Sequence, residues 1–120
     1  MIEQTLQWQL ANKLQKLYDT LEKYTIAEVC YMIFKNFTYS QGKVSGLRLT
    51  KLGYSLLKPH YDSHDFKVDE GIHKKLLLVL HKQMKWPYYL DNKKLVLFND
   101  DDAMWLKMTG SVEKFAKGLE

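Results

Sequence analysis

"PYYLDNKKLVLFNDDDAMWLKM", residues 87 to 108, carries two kinds of local signal side by side. Two short apolar runs, at 88–90 and 95–98, flank "DNKK". Asp91 and Asn92 tolerate turn geometry, so the pattern predicts a β-hairpin. Asn99 then stands where a helix cap is wanted. That makes Asp100, Asp101 and Asp102 the first three helical positions. Carboxylates there meet the free N–H groups and the positive end of the helix dipole, each contributing about 0.3–1 kcal/mol.

Three adjacent aspartates also raise the question of a metal. A divalent ion needs carboxylates converging on one point. Successive helix residues point about 100° apart, so these three cannot share an ion. The calcium-loop pattern needs alternate spacing, a glycine and a distal glutamate, and none is present. The aspartates therefore read as a helix start and as a fixed negative pole, with an acidic docking surface as the other use of the same charge.

Outward from this stretch the chain is mostly helical in pattern. Pro87 closes a helix spanning about 69–85, in which Leu76, Leu77, Leu78, Val79 and Leu80 are apolar nearly all round. Asp69 and Glu70 suit its start, and Lys82 and Lys85 its end. Gly110 stops the helix begun at Asp100, and Ser111 caps a last one with Val112, Phe115, Ala116 and Leu119 inward.

Toward the N-terminus, Leu6, Leu10, Leu14, Leu17 and Leu21 mark an amphipathic helix over 3–22. This stripe serves as core or as a dimer seam. "TIAE" at 25–28 is a capping box. Ile26, Val29, Cys30, Ile33, Phe34 and Phe37 follow on one helical face, predicting a helix to 36 or 37. "TYSQGKVSG", 38–46, predicts a loop or wide hairpin tip. "LRL" at 47–49 is extended, Thr50 caps a third helix, and Pro59 ends it. "HYDSHDFKVDEG", 60–71, reads as a polar connection.

The resulting expectation is one domain over residues 1–120, mainly α of the α+β kind: a helical domain with a small β-hairpin. The 88–98 hairpin and "LRL" would share a sheet. Hydrophobic residues make up 46% and charged residues 27%, the balance of an ordinary soluble protein. No basic leader and no apolar stretch of membrane-spanning length is seen, so a cytoplasmic location without a membrane partner is expected. A single cysteine, Cys30, excludes an internal disulfide and a cysteine-based zinc cluster. Its apolar setting marks it as a small buried hydrophobe.

Catalytic chemistry finds no signature. There is no G-x-S-x-G elbow, no phosphate-cradling glycine loop and no base placed for Cys30. His60 and His64, four apart beside Asp62 and Asp65, would pair on a metal only in a helix, and Pro59 argues for irregular chain. His73 and His81 are eight apart, too far to share an ion. Neither an enzyme, a cofactor nor a metal is expected.

Charge is the strongest functional signal. Residues 1–60 hold eight Lys or Arg against four Asp or Glu, whereas residues 61–120 hold ten of each. All of the net +4 thus lies in the first half. From Val29 to Tyr61 there is no acid, but there are Lys35, Lys43, Arg48, Lys51 and Lys58. They are interleaved with Tyr31, Phe34, Phe37, Tyr39, Tyr54, His60 and Tyr61. Cations bind phosphates, and exposed aromatics stack on bases. Phe34 and Phe37 belong to the core face, leaving Tyr39 and Tyr54 as candidate stacking residues. The bland use of the same residues is a solvated face. Only one of the eighteen cations is Arg, which favours phosphate contact over bidentate reading of a base edge. A second candidate surface, for a protein partner, combines the hairpin and the acidic helix start, with Trp86, Tyr88, Tyr89 or Trp105 as anchor.

"LRLTKLGYSLLK", residues 47–58, resembles a stretch of winged-helix regulators in which a short strand leads through a threonine cap into a helix carrying a glycine and then leucines. The matching positions are Leu49, Thr50, Gly53, Leu56 and Leu57, about a tenth of the chain. The resemblance implies a DNA-binding, transcription-regulating role. It carries no DNA-reading residue over. The stretch from Lys85 to Phe115 is similar to small tailed-phage proteins, which implies a phage-encoded accessory role in the host cytoplasm.

Overall fold

The computed structural model describes residues 6–35, 38–40, 43–45, 47–68 and 73–108. Their α+β content bears out the fold class. The chain divides into two compact units, residues 1–60 and 61–120.

The first unit opens with α1, Leu6–Leu17, followed by a 3-10 turn at Asp19–Leu21. The leucine stripe predicted its inner face: Leu10, Leu14 and Leu21 are buried, and Leu17 is exposed. Helix α2, Ile26–Ile33, starts with the expected capping box. The Thr25 hydroxyl accepts from the Glu28 N–H at 3.2 Å, and the Glu28 carboxylate accepts from the Thr25 N–H at 3.0 Å. Val29, Cys30 and Ile33 are wholly buried, and α2 packs against α1. Burying a side chain of that size contributes about 1.5–3 kcal/mol.

Helix α2 ends three to four residues earlier than its apolar pattern predicts. Phe34 is extended, at φ −116° and ψ 135°, and is buried at 2% exposure all the same. Phe34 bridges Leu49, and the Lys35 N–H donates to the Arg48 carbonyl at 2.8 Å. Strands β1, Thr38–Ser40, and β2, Lys43–Ser45, continue in the same antiparallel register. Thr38 faces Ser45 just as Phe34 faces Leu49, the two numbers summing to 83 in each pair. The described pairs of this stretch thus share one antiparallel register. Phe37, Gln41 and Gly42 lie outside the described residues. So "LRL" belongs to this hairpin, and its sharing a sheet with residues 88–98 is corrected. Helix α3, Lys51–Leu57, follows at once.

The second unit begins with a correction. The polar run at 60–71 holds a strand, β3, His64–Lys67. Its exposure alternates, with His64 and Phe66 half-buried and Asp65 and Lys67 exposed, as an edge strand requires. Helix α4, His73–Gln83, buries Leu76, Val79 and Leu80 and exposes Leu78. The expected start at Asp69 and Glu70 lies outside the described residues. The predicted hairpin is present as β4, Tyr88–Leu90, and β5, Lys94–Leu97. Its turn is held by Asp91, whose carboxylate accepts from the Lys93 and Lys94 N–H groups at 2.7 and 2.9 Å. The antiparallel order is β3-β5-β4. In the central strand Leu95, Val96 and Leu97 are all buried, so both faces are covered. Helix α5, Asp100–Met108, packs on β5. The helix expected from Ser111 lies outside the described residues. None of the described helices is long and apolar enough to cross a membrane.

Candidate nucleic-acid interface

The basic residues are positioned by one joint, between the end of α2 and the start of α3. The Thr50 hydroxyl accepts from the Gly53 N–H at 3.0 Å, capping α3. The same hydroxyl donates to the Met32 carbonyl at 2.7 Å, and the Thr50 N–H donates to the Ile33 carbonyl at 2.9 Å. These bonds satisfy two of the carbonyls that α2 leaves free at its C-terminus. Gly53 is buried against Ile33, where a Cβ would strike the Ile33 carbonyl. The threonine and glycine of "LTKLG" are therefore a docking device that seats α3 on α2.

From this joint the cations fan out. Lys35 and Arg48 face each other across the first rungs of the hairpin. Lys35 is exposed and Arg48 half-buried. Lys43 lies in β2 opposite Ser40, and Tyr39 lies in β1 opposite Val44. Lys51 and Lys58 are exposed at the two ends of α3. The Lys58 ammonium sits 5.5 Å from the centroid of the Tyr54 ring, which is half-buried. Of the two candidate stacking residues, Tyr54 is thus already covered in part by a cation of its own helix.

One aromatic was passed over at the level of sequence. Tyr31, in the last turn of α2, is 59% exposed. The sequence placed it in the basic window but not among the candidate stacking residues; Val29, Cys30 and Ile33 take the buried face of α2, and Tyr31 lies off it. Tyr61, also in the basic window, meets Trp86 edge-on at 5.0 Å between ring centroids.

The second candidate surface is differently built. Tyr88 is buried, and Trp86, Tyr89 and Trp105 are half-buried. Trp86 and Phe98 line a cleft of about 490 Å³ with Asp62, Asn99, Asp100 and Asp101.

The three aspartates turn out to do three different things. Asn99 caps α5 as expected, its side-chain oxygen accepting from the Asp102 N–H at 3.1 Å. Asp100 is exposed and meets His64 Nε2 at 2.9 Å. Asp101 is exposed on the cleft. Asp102 is buried, at 3% exposure. Its carboxylate accepts from the Lys85 N–H at 3.2 Å and the Trp86 N–H at 3.1 Å. Burial pushes the Asp102 carboxyl up from the usual range, against the lowering effect of those two bonds. For Asp91 the balance reverses: burial raises it, but the bonds from Lys93 and Lys94 outweigh that and hold it low.

In each unit, then, a helix leads into a hairpin and the hairpin into a capped helix. The start of that last helix bonds back to the chain at or just past the end of the first, through the Thr50 cap in one unit and Asp102 in the other.

The histidines serve separate partners. His60 meets the Tyr18 hydroxyl at 3.1 Å, with the rings edge-on, and His64 meets Asp100. No group of three metal-binding side chains occurs among the described residues. Cys30 is wholly buried, its thiol donating to the Gln7 carbonyl at 3.7 Å. Burial pushes that thiol up to about 12, which keeps it from acting as a thiolate nucleophile near neutral pH.

Comparison with known proteins found no matching family model, no matching curated protein and no matching solved structure.

Proposed function

We propose that this chain is a non-enzymatic nucleic-acid-binding accessory protein of the cytoplasm, which neutralises phosphates through Lys35, Lys43, Arg48, Lys51 and Lys58. The observation that supports it is the pairing of Lys35 with Arg48 across one hairpin register, directly ahead of exposed Lys51 on α3. Cations far apart in sequence are thereby gathered on one ribbon and the helix seated beside it. No acid lies between Val29 and Tyr61 to oppose them. The winged-helix resemblance of residues 47–58 points to the same role, and the phage-like C-terminal half fits a phage-encoded accessory.

Ion release sets the test. Five phosphate contacts give a slope of log affinity against log salt between about −3.5 for a single strand and −4.5 for a duplex. Titration of labelled DNA and RNA across a salt series measures it. Binding that ignores salt, or no binding at low ionic strength, overturns the proposal.

The second reading is a module that binds a host or phage protein. The cleft beside Trp86 favours it, because an indole ring and three aspartates suit a basic segment of a partner. Capture of a Lys/Arg-rich peptide, lost in Trp86→Ala, tests that reading.

A further inference from the structure

We infer that this chain forms a two-fold dimer by pairing the open edge of β3 with β3 of a second copy. Strand β3 stands first in the order β3-β5-β4, and among the described residues no strand lies on its other side. Successive residues of an antiparallel strand turn their backbone groups alternately toward and away from the neighbouring strand. Val68 fixes the phase. Its N–H donates to the Lys93 carbonyl at 3.0 Å, one step beyond the last pair of the β3–β5 register. His64 and Phe66 therefore bond to β5, and the N–H and C=O groups of Asp65 and Lys67 point away from it. Asp65 and Lys67 are both exposed.

The charges on this edge choose its occupant. Charged side chains on an edge strand ordinarily discourage a second strand. Asp65 and Lys67, however, are opposite in sign and stand two residues apart on one face. An antiparallel copy turned about a two-fold axis at Phe66 sets Asp65 of each copy opposite Lys67 of the other. These are the residues whose backbone groups face outward, so each pair exchanges both of its N–H···O=C bonds. Phe66, half-buried on the other face, meets its counterpart at the close, non-hydrogen-bonded position between them, where aromatic pairs are favourable. A slip of two residues either way sets Asp65 against Asp65 or Lys67 against Lys67, and like charges directly opposite are unfavourable. Backbone, charge and register are thus self-complementary, as an isologous contact requires. Within its own sheet Lys67 stands opposite another cation, Lys94; the second copy sets a carboxylate on its open flank. The strand is four residues long, so the interface is small and the dimer weak.

Sedimentation equilibrium of the full chain, at concentrations up to about 1 mM, measures the association. A monomer–dimer equilibrium is expected. Amide exchange at Asp65 and Lys67 slows as the dimer fills, whereas the Phe66 N–H, bonded to β5, is protected at every concentration. Asp65→Lys alone and Lys67→Asp alone each set like charges opposite one another and weaken self-association by roughly ten-fold. Mixing the two variants, or combining both changes in one chain, restores opposite charges and recovers the parent affinity. Circular dichroism establishes that these variants, changed only at exposed positions, stay folded. A parent that is monomeric throughout, a dimer indifferent to both single variants, or variants that do not recover on mixing overturns the inference. So does a parent dimer whose concentration-dependent protection spares Asp65 and Lys67, a readout that needs no variant and assigns the contact to another surface.

Discussion

Gly53 lies so close to the Ile33 carbonyl that a Cβ there would collide with the oxygen. The obstacle is backbone, at the point where α2 gives way to the hairpin, so it cannot rotate aside. Gly53→Ala improves helix propensity by up to about 1 kcal/mol, but forces α3 away from α2. The expected net loss is about 1–3 kcal/mol, the usual range for overpacking. Urea unfolding measures it, and a variant as stable as the parent contradicts the close approach.

Thr50 acts on the same joint from the other side. Its hydroxyl accepts from Gly53 and donates to Met32. Thr50→Val keeps the shape and removes both bonds. Loss of a cap costs about 0.5–2 kcal/mol, and the Met32 carbonyl loses its donor in addition. Thr50→Ser restores the hydroxyl and should recover most of the stability. If valine and serine give equal unfolding midpoints, the hydroxyl does not staple α3 to α2.

Asp102 should stand apart from its two neighbours. Asp102→Ala leaves the part-buried Lys85 and Trp86 N–H groups without their acceptor, at a cost of about 1–3 kcal/mol. Asp100→Ala and Asp101→Ala, both at exposed positions, stay within about 1 kcal/mol of the parent. The pH dependence has a definite sign. Burial raises the Asp102 carboxyl in the folded chain, so the folded state holds this proton to higher pH than the unfolded state. Its contribution is full below the ordinary carboxylate range and is lost as pH rises through and above that range. Subtracting the Asp102→Asn stability curve from that of the parent isolates this step, since asparagine does not titrate. A difference curve that rises with pH reverses the assignment.

Local patterns were the legible part of this molecule. The Thr25–Glu28 capping box, the Asn99 cap and the 88–97 hairpin are written in residues that touch near neighbours in sequence. What escaped depends on distant partners. Phe34 continues the apolar helical spacing of α2, and burial satisfies it equally as a helix or strand residue. Only its bridge to Leu49 decides. The His64–Lys67 strand is short, polar and at an edge, and it forms because β5 offers it a ladder. Asp102 looks identical to Asp100 and Asp101 until the Lys85–Trp86 backbone arrives above it. The candidate site follows the same rule. The basic window is plain in the sequence, but the pairing of Lys35 with Arg48 and the exposure of Tyr31 are consequences of the fold.

The two functional readings separate under substitution. Lys35→Ala and Lys51→Ala remove exposed cations of the first unit without touching its core. If these residues neutralise phosphates, each weakens binding to all nucleic acids by a similar factor and makes the salt slope shallower by about one unit. Trp86→Ala, at the acidic cleft of the second unit, leaves nucleic-acid affinity and slope unchanged. The opposite pattern, with a strong effect at Trp86 and none at Lys35 or Lys51, transfers the binding function to the cleft. Fluorescence anisotropy at several salt concentrations, on the parent and the three variants, separates the outcomes. The slope is the decisive readout, because a variant that merely loosens the fold lowers affinity without removing one ion from the count.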